Sequence, residues 1–247
     1  MPATPAWPPK SAPRLFVDTT LAQGAQVSLG GPQAHYLARV MRIAAGDAVV
    51  LCDDVTGEWA ARVIEAAKRD VMLTCETLLR PREDVPDFTL CAALLKKDRF
   101  DLVLEKACEL GVRRIQPVLT RRCVADKLNL DRARSILIEA AEQCARTALP
   151  ELAAPAKLEA LLKDWQANRA LFFADENGGA NAAQQFAACA GPAALLTGPE
   201  GGFDQAEREE IRALPHARVI TLGPRILRGE TAAIAATALW MGTQGDW

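Results

Sequence analysis

Two rhythms of apolar positions divide the chain. Between residues 14 and 80 the apolar residues come in short alternating runs: RLFV, QVSLGG, DAVVLCDD, TGEWAARVIEA and DVMLTCETLL. Turn residues at 30–32 (Gly-Gly-Pro), 46–47 (Gly-Asp) and 53–57 separate them. Alternation with a period of two, broken by Gly, Pro and Asp, predicts half-buried strands. A small β-barrel or sandwich is expected, with one short helix over 34–42. Residues 80–87 (RPREDVPD) carry two prolines and mixed charge and are expected to be a linker.

From Phe88 the rhythm changes. FTLCAALL reads as a strand. Asp98 is expected to cap the helix DRFDLVLEKACEL, with Phe100, Val103, Leu104, Ala107 and Leu110 on one face and Gly111 as its stop. RIQPVLT predicts a second strand and residues 131–147 a second helix. The series continues with strand RALFFAD, helix NAAQQFAACA, strand AALLTG, helix DQAEREEIRAL, strand ARVITLG and helix ETAAIAATALWMG. Strands alternating with helices imply an α/β domain whose parallel sheet is covered on both faces. The expected division is an extension at 1–13, a β-domain at 14–80 and an α/β domain at 88–247.

Composition narrows the chemistry. Half of the residues are hydrophobic and 24 % charged, as in a soluble globular protein, and no apolar run is long enough for a membrane helix. The Pro-rich start lacks the apolar segment of a signal peptide, so the cytoplasm is the expected location. Seven scattered cysteines, none in a CxxC pair, are expected to be reduced, buried small hydrophobes. With only two histidines a structural metal is not expected. The net charge of −2 conceals a gradient, balanced over 1–80, +2 over 81–150 and −4 over 151–247. Any grip on RNA would therefore use a local patch.

Two loops near the C-terminus carry candidate chemistry. The first is Thr197-Gly198-Pro199-Glu200-Gly201-Gly202-Phe203, followed by Asp204 and Glu207 at capping-box spacing. Its glycines let backbone approach a ligand. It lacks the G-K-[ST] of a triphosphate loop, and Glu200 would repel a pyrophosphate. A ligand that is not polyanionic suits it, and S-adenosylmethionine qualifies; an ordinary capped turn is the alternative. The second loop, Leu222-Gly223-Pro224-Arg225-Ile226-Leu227-Arg228-Gly229-Glu230-Thr231, sets Arg225, Arg228 and Glu230 where strand ends should open a crevice. Its alternative is a surface ion pair at a helix start.

Taken together, LTGPEGGF and, some twenty residues on, LGPRILRGETAA resemble the SPOUT superfamily of knotted methyltransferases. Within it the chain resembles the small-subunit ribosomal RNA uridine-N3 methyltransferase family, the E type. Residues 95–124 (LKKDRFDLVLEKACELGVRRIQPVLTRRCV), 138–152 (IEAAEQCARTALPEL) and 34–63, with RLFVDTT before them, extend the likeness over nearly everything after Ala12. Gly229 stands where a threonine is expected.

The resemblance implies an α/β fold with a trefoil-knotted methyltransferase domain and an N-terminal PUA-like β-barrel. It also implies a homodimer, whose interface would use the alanine-rich last helix, although those alanines could equally pack on the protein's own sheet. S-adenosylmethionine would be held by Leu196, Thr197, Gly198, Pro199, Gly201, Gly202, Leu222, Gly223, Ile226 and Leu227. The substrate would be 16S ribosomal RNA of the small subunit. Methylating N3 needs an unpaired base, a proton acceptor and stabilisation of the uracil anion. Arg228 is expected to stabilise that charge, and Glu230 to act as base or orienter, with Glu200 as the other candidate. Arg39, Arg42, Lys96, Lys97, Arg99, Arg121, Arg122, Gln143, Arg146 and Arg225 are the candidate RNA contacts. A non-catalytic RNA-binding assembly factor, or a knotted methyltransferase acting on transfer RNA, are the competing readings.

Overall fold

The computed structural model describes residues 7–247, which divide into two compact units. The first takes the chain as far as Asp84 and adds residues 141–148. Its strands are β1 (Arg14–Phe16), β2 (Gln26–Leu29), β3 (Ala48–Cys52), β4 (Gly57–Ala66) and β5 (Val71–Pro81), with the short helix α1 (Gly31–His35) after β2. They form one sheet in the order β1-β3-β4-β5-β2, in which β1 runs parallel to β3 and every other pair is antiparallel. The alternation seen in the sequence lays Val27, Leu29, Val63, Leu73 and their neighbours into one core. Three register shifts between β4 and β5 bend this long pair, as bulges do.

Asp53 fixes the turn that follows β3. Its carboxylate accepts from the Leu21 N–H at 2.7 Å, the Val55 N–H at 3.0 Å, the Thr56 N–H at 2.7 Å and the Thr56 hydroxyl at 2.8 Å. Burial raises the acid's pKa, but the donors of Leu21, Val55 and Thr56 outweigh it and hold the group below the usual carboxylate range.

Several boundaries differ from expectation for identifiable reasons. The helix expected over 34–42 begins at Gly31, with Pro32 in its first turn, a place where proline's missing N–H costs nothing. It then widens into a π-type turn over Tyr36–Met41 that ends with Arg42 in the left-handed region. The expected extension is described only from Trp7. There the Arg62 guanidinium lies 3.9 Å from the Trp7 ring centre, so that this part is laid against the sheet. The stretch expected as a linker is strand as far as Pro81. Glu83 then accepts from the Thr147 N–H at 2.6 Å, and Arg80 donates to the Ala145 carbonyl at 2.6 Å. These contacts bind residues 141–148 to the first unit.

The second unit alternates strand and helix. It comprises β6 (Phe88–Ala93), α2 (Lys97–Glu109), β7 (Arg114–Leu119), α3 (Leu130–Cys144, whose residues from Ala141 on belong to the first unit), β8 (Glu151–Leu152), β9 (Ala156–Lys157) and α4 (Leu158–Lys163). Then come β10 (Ala170–Ala174), β11 (Ala180–Asn181), α5 (Ala182–Ala187), β12 (Ala193–Thr197), α6 (Gln205–Ala213), β13 (Ala217–Thr221) and α7 (Gly229–Gln244). The strand order is β11-β13-β10-β12-β6-β7-β8, with β9 also on β7, and all pairs are parallel. α2 buries Phe100, Val103, Leu104 and Ala107 as its periodicity predicts. Its N-cap is Lys96 rather than Asp98, because the helical bonds begin at the Lys96 carbonyl. Asp98 sits instead in the first turn, where the helix dipole favours it. α3 ends at Cys144, short of the expected Thr147, since Ala145 takes a left-handed φ of 63°. α7 turns some of its alanines inward: Ala233 and Ala236 are buried and Trp240 stacks on Phe88, whereas Ala235 is exposed.

Five of the seven cysteines are buried as expected, whereas Cys123 is half-buried and Cys144 exposed. No helix is long and apolar enough to cross a membrane, and no metal-binding cluster occurs among the described residues.

A group held below its unfolded pKa stabilises above the unfolded value, about 3.9 for Asp, and that contribution is lost as pH falls through the folded value. Asp53→Asn is expected to cost about 1–3 kcal/mol at pH 7. It should also shrink the fall in urea midpoint between pH 7 and pH 3, measured against the unsubstituted protein. Equal acid slopes for the two proteins would contradict this role.

Candidate functional site

Strands β13, β10 and β12 are neighbours in a parallel sheet, so their C-terminal ends lie side by side. The loops that leave them enclose an open cleft. Ala174, Asp175 and Glu176 line it from the β10 loop, and Gly198, Pro199, Gly202 and Phe203 from the β12 loop. The β13 loop contributes Thr221 to Leu227, and Gly229 and Ala232 of α7 complete the lining. This is the crevice at strand ends where α/β sheets bind ligands.

One buried cation holds two of these loops. Arg208, 6 % exposed on α6, pairs with Asp175 and donates to Glu176 Oε1 at 2.5 Å and to the Phe203 carbonyl at 3.2 Å. α6 itself is anchored by the expected capping box, in which Asp204 accepts from the Glu207 N–H at 2.8 Å and Glu207 from the Asp204 N–H at 3.0 Å. Asp175 also accepts from Arg212 at 2.7 Å and from the Asn177 N–H at 3.0 Å. Burial pushes its pKa up, yet the Asn177 N–H and the two guanidinium groups outweigh this and lower it. Glu176, its carboxylate partly open to solvent, rests on Gly202. A methyl group there would displace the Glu176 carboxylate, and Gly202 has φ +65°, a conformation that favours glycine.

The N-termini of α2 and α7 meet beside the β12 loop. Gly229 explains itself here: a Cβ would lie 2.9 Å from the Gly198 carbonyl oxygen and 2.8 Å from Leu95 Cδ2. The expected threonine does not fit without moving backbone. The Lys96 N–H donates to Glu200 Oε1 at 3.4 Å. Arg99 pairs with Glu230 Oε1, while Glu230 Oε2 is buried with no partner among the described residues. Arg228, the N-cap of α7, is exposed.

The expected site residues are therefore partly assembled. Gly198, Pro199, Gly202, Leu222, Gly223, Ile226 and Leu227 line the cleft together, and Arg225 joins them. Leu196 and Thr197 are buried in β12, and Gly201 packs on Arg122, whose guanidinium donates to its carbonyl at 3.1 Å. Arg121 is likewise engaged, with Asp204 and Glu159. Among the candidate RNA contacts Lys96, Lys97, Arg121, Arg122 and Arg225 are exposed in the second unit, and Arg39, Arg42 and Gln143 in the first. Arg146 is 5 % exposed, which withdraws it from a phosphate surface. Sequence reasoning missed Asp175, Glu176 and Arg208. The signal was present in Asp175-Glu176-Asn177-Gly178-Gly179, a polar, glycine-rich turn directly after a buried strand.

A parallel sheet with this backbone-lined cleft belongs to a recognisable class. Residues 82–241 match the model of an RNA methyltransferase domain, and residues 29–73 that of an RNA methyltransferase PUA domain. The chain is 33 % identical, over 94 % of its own length and 95 % of the relative's, to the ribosomal RNA small subunit methyltransferase E of Mycobacterium bovis. It superposes with a TM-score of 0.86 on a methyltransferase from Legionella pneumophila in complex with the cofactor SAM, at 26 % identity, covering 96 % of this chain and 99 % of that one. The ribosomal RNA small subunit methyltransferase E from Neisseria gonorrhoeae, bound to S-adenosyl methionine, gives 0.85 at 27 % identity with the same coverage. The chain belongs to the ribosomal RNA small subunit methyltransferase E family, with the SPOUT-type α/β fold and the PUA domain that the sequence implied.

Gly229→Thr is expected to destabilise the protein by about 1–3 kcal/mol in urea unfolding, because the β12 loop must yield to the new side chain. Unchanged stability would contradict the close approach of α7 to Gly198.

Proposed function

We propose that this protein transfers a methyl group from S-adenosylmethionine to N3 of a specific uridine in 16S ribosomal RNA, in the decoding region of the small subunit. The cleft at the ends of β10, β12 and β13 carries the reading. Its charged lining side chains, Asp175, Glu176, Arg208 and Arg225, balance, so it has no excess charge for a polyanion. Arg208 is committed to its own carboxylates. Apolar walls from Pro199, Pro224, Ile226 and Leu227 suit an adenine ring, and loop backbone suits its edge. The partly exposed Glu176 suits a cation. The relatives crystallised with this cofactor support the assignment.

When bound, the cofactor supplies an electrophilic methyl group on a cationic sulfur. The protein's part is to orient the base and to handle charge. N3 lies on the Watson–Crick edge, so the uridine must be unpaired or flipped toward the cleft. Arg228, exposed at the start of α7, stabilises the negative charge that develops on a uracil carbonyl oxygen. Glu230 beside it and Glu200 on the β12 loop are the carboxylates available as base or orienter. Exposed Arg39, Arg42, Lys96, Lys97 and Arg225 contact RNA phosphates. The same reading includes a trefoil-knotted second unit, a homodimer and a cytoplasmic location beside the ribosome. Gly229 was the one feature favouring a non-catalytic assembly factor, and its packing against Gly198 removes that support.

Calorimetry is expected to detect S-adenosylmethionine binding to the full chain; no heat at millimolar cofactor would remove the enzymatic reading. Arg228→Ala should lower methyl transfer to small-subunit RNA by about 100- to 1000-fold with cofactor affinity retained. Unchanged transfer by that variant would sink the role given to Arg228.

A further inference from the structure

The first turn of α7 buries a carboxylate in an unusual setting. Glu230 is 8 % exposed. One of its oxygens accepts from the Arg99 guanidinium, and the other is closed off from solvent with no hydrogen-bond partner among the described residues. A general base must bring a free oxygen to within hydrogen-bond reach of the proton it takes. Neither oxygen of Glu230 offers that, since one is occupied and the other enclosed.

Its partner is placed differently. The Arg99 side chain is 34 % exposed on the first turn of α2. The segment entering that turn packs against the start of α7 and the β12 loop: Leu95 lies against Gly229, and the Lys96 N–H reaches Glu200. A guanidinium has five N–H donors in a fixed fork, and the contact with Glu230 uses one of them. Glu200, by contrast, is exposed and meets the same end of α2. We propose that Glu230 is a positioning carboxylate for Arg99, that Arg99 is a second substrate-contacting donor beside Arg228, and that the N3 proton leaves to Glu200.

This deepens the uridine-N3 reading and rests on it. In the step so assigned, the N3–H bond breaks and its proton passes to the Glu200 carboxylate. The nitrogen pair forms the bond to the methyl carbon, and the carbon–sulfur pair returns to sulfur, which becomes neutral. Arg99 and Arg228 donate to the uracil oxygens on which charge builds. Their fixed orientation comes at no reorganisation during the step, because Glu230 already holds one of them.

The test is single-turnover methyl transfer to small-subunit RNA as a function of pH, with cofactor affinity and thermal stability measured on the same proteins. Arg99→Ala and Glu230→Ala should each lose about 100-fold in rate, and the double variant no more than the worse of the two. In Glu230→Gln the amide oxygen still accepts from Arg99. The loss should therefore stay below about tenfold, and the acid limb of the profile should survive, whereas Glu200→Gln should flatten it. If Glu230→Ala fails to fold, Arg99→Lys, which keeps the charge but not the fork, should lose more rate than Glu230→Gln. Loss of the acid limb in Glu230→Gln would make Glu230 the base and overturn the proposal. So would an Arg99→Ala protein that is less stable yet turns over normally. If the unsubstituted protein methylates a position other than N3, the substrate reading fails while the ranking of variants still decides the Arg99–Glu230 pair. No transfer to any RNA overturns both.

Discussion

The cleft depends on a buried guanidinium. Arg208 leaves α6 and reaches Asp175 and Glu176 in the β10 loop and the Phe203 carbonyl in the β12 loop. Two loops without regular structure are thereby held from one point inside the protein. A buried carboxylate such as Asp175 costs several kcal/mol unless its charge is matched and its lone pairs are used. Arg208, Arg212 and the Asn177 N–H meet that demand together. Glu176 is held over Gly202 by the same cation, so that a side chain at that point would push this carboxylate aside. The cleft is thus preorganised by charge pairing in its own wall, and backbone and apolar groups make up the rest of its lining.

The catalytic side of the site follows a second constraint, the close approach of α7 to the β12 loop. Without a side chain at Gly229 the helix start reaches the Gly198 carbonyl. Arg228 and Glu230 are then set on either side of a contact that fixes them relative to the cleft. The Arg99–Glu230 pair ties α2 into the same corner, so that three chain segments far apart in sequence share one small volume.

Much of this was legible in the sequence, unevenly. The period-two runs before residue 80 and the strand–helix alternation after Phe88 gave both sheets, because a half-buried strand and an amphipathic helix each impose a pattern on neighbouring positions. The capping box at Asp204 and Glu207 was explicit, since its two bonds lie within four residues. The two-residue strands β8, β9 and β11 and the short helix α4 were not foreseen, being too short to carry a period. The LTGPEGGF and LGPRILRGET loops announced themselves by glycine and charge. The β10 loop did not, because Asp175 and Glu176 acquire meaning only when α6 brings Arg208 to them from more than thirty residues away. Arg99 read only as one more candidate RNA contact for a similar reason: its partner is 131 residues distant.

The account stands or falls on where the methyl group goes. Small-subunit RNA incubated with the full-length protein and S-adenosylmethionine, then digested to nucleosides and analysed by mass spectrometry, gives the most direct answer. The account predicts one methyl group per RNA, recovered as 3-methyluridine. A methyl group on ribose, on another base or on no nucleoside at all would contradict it.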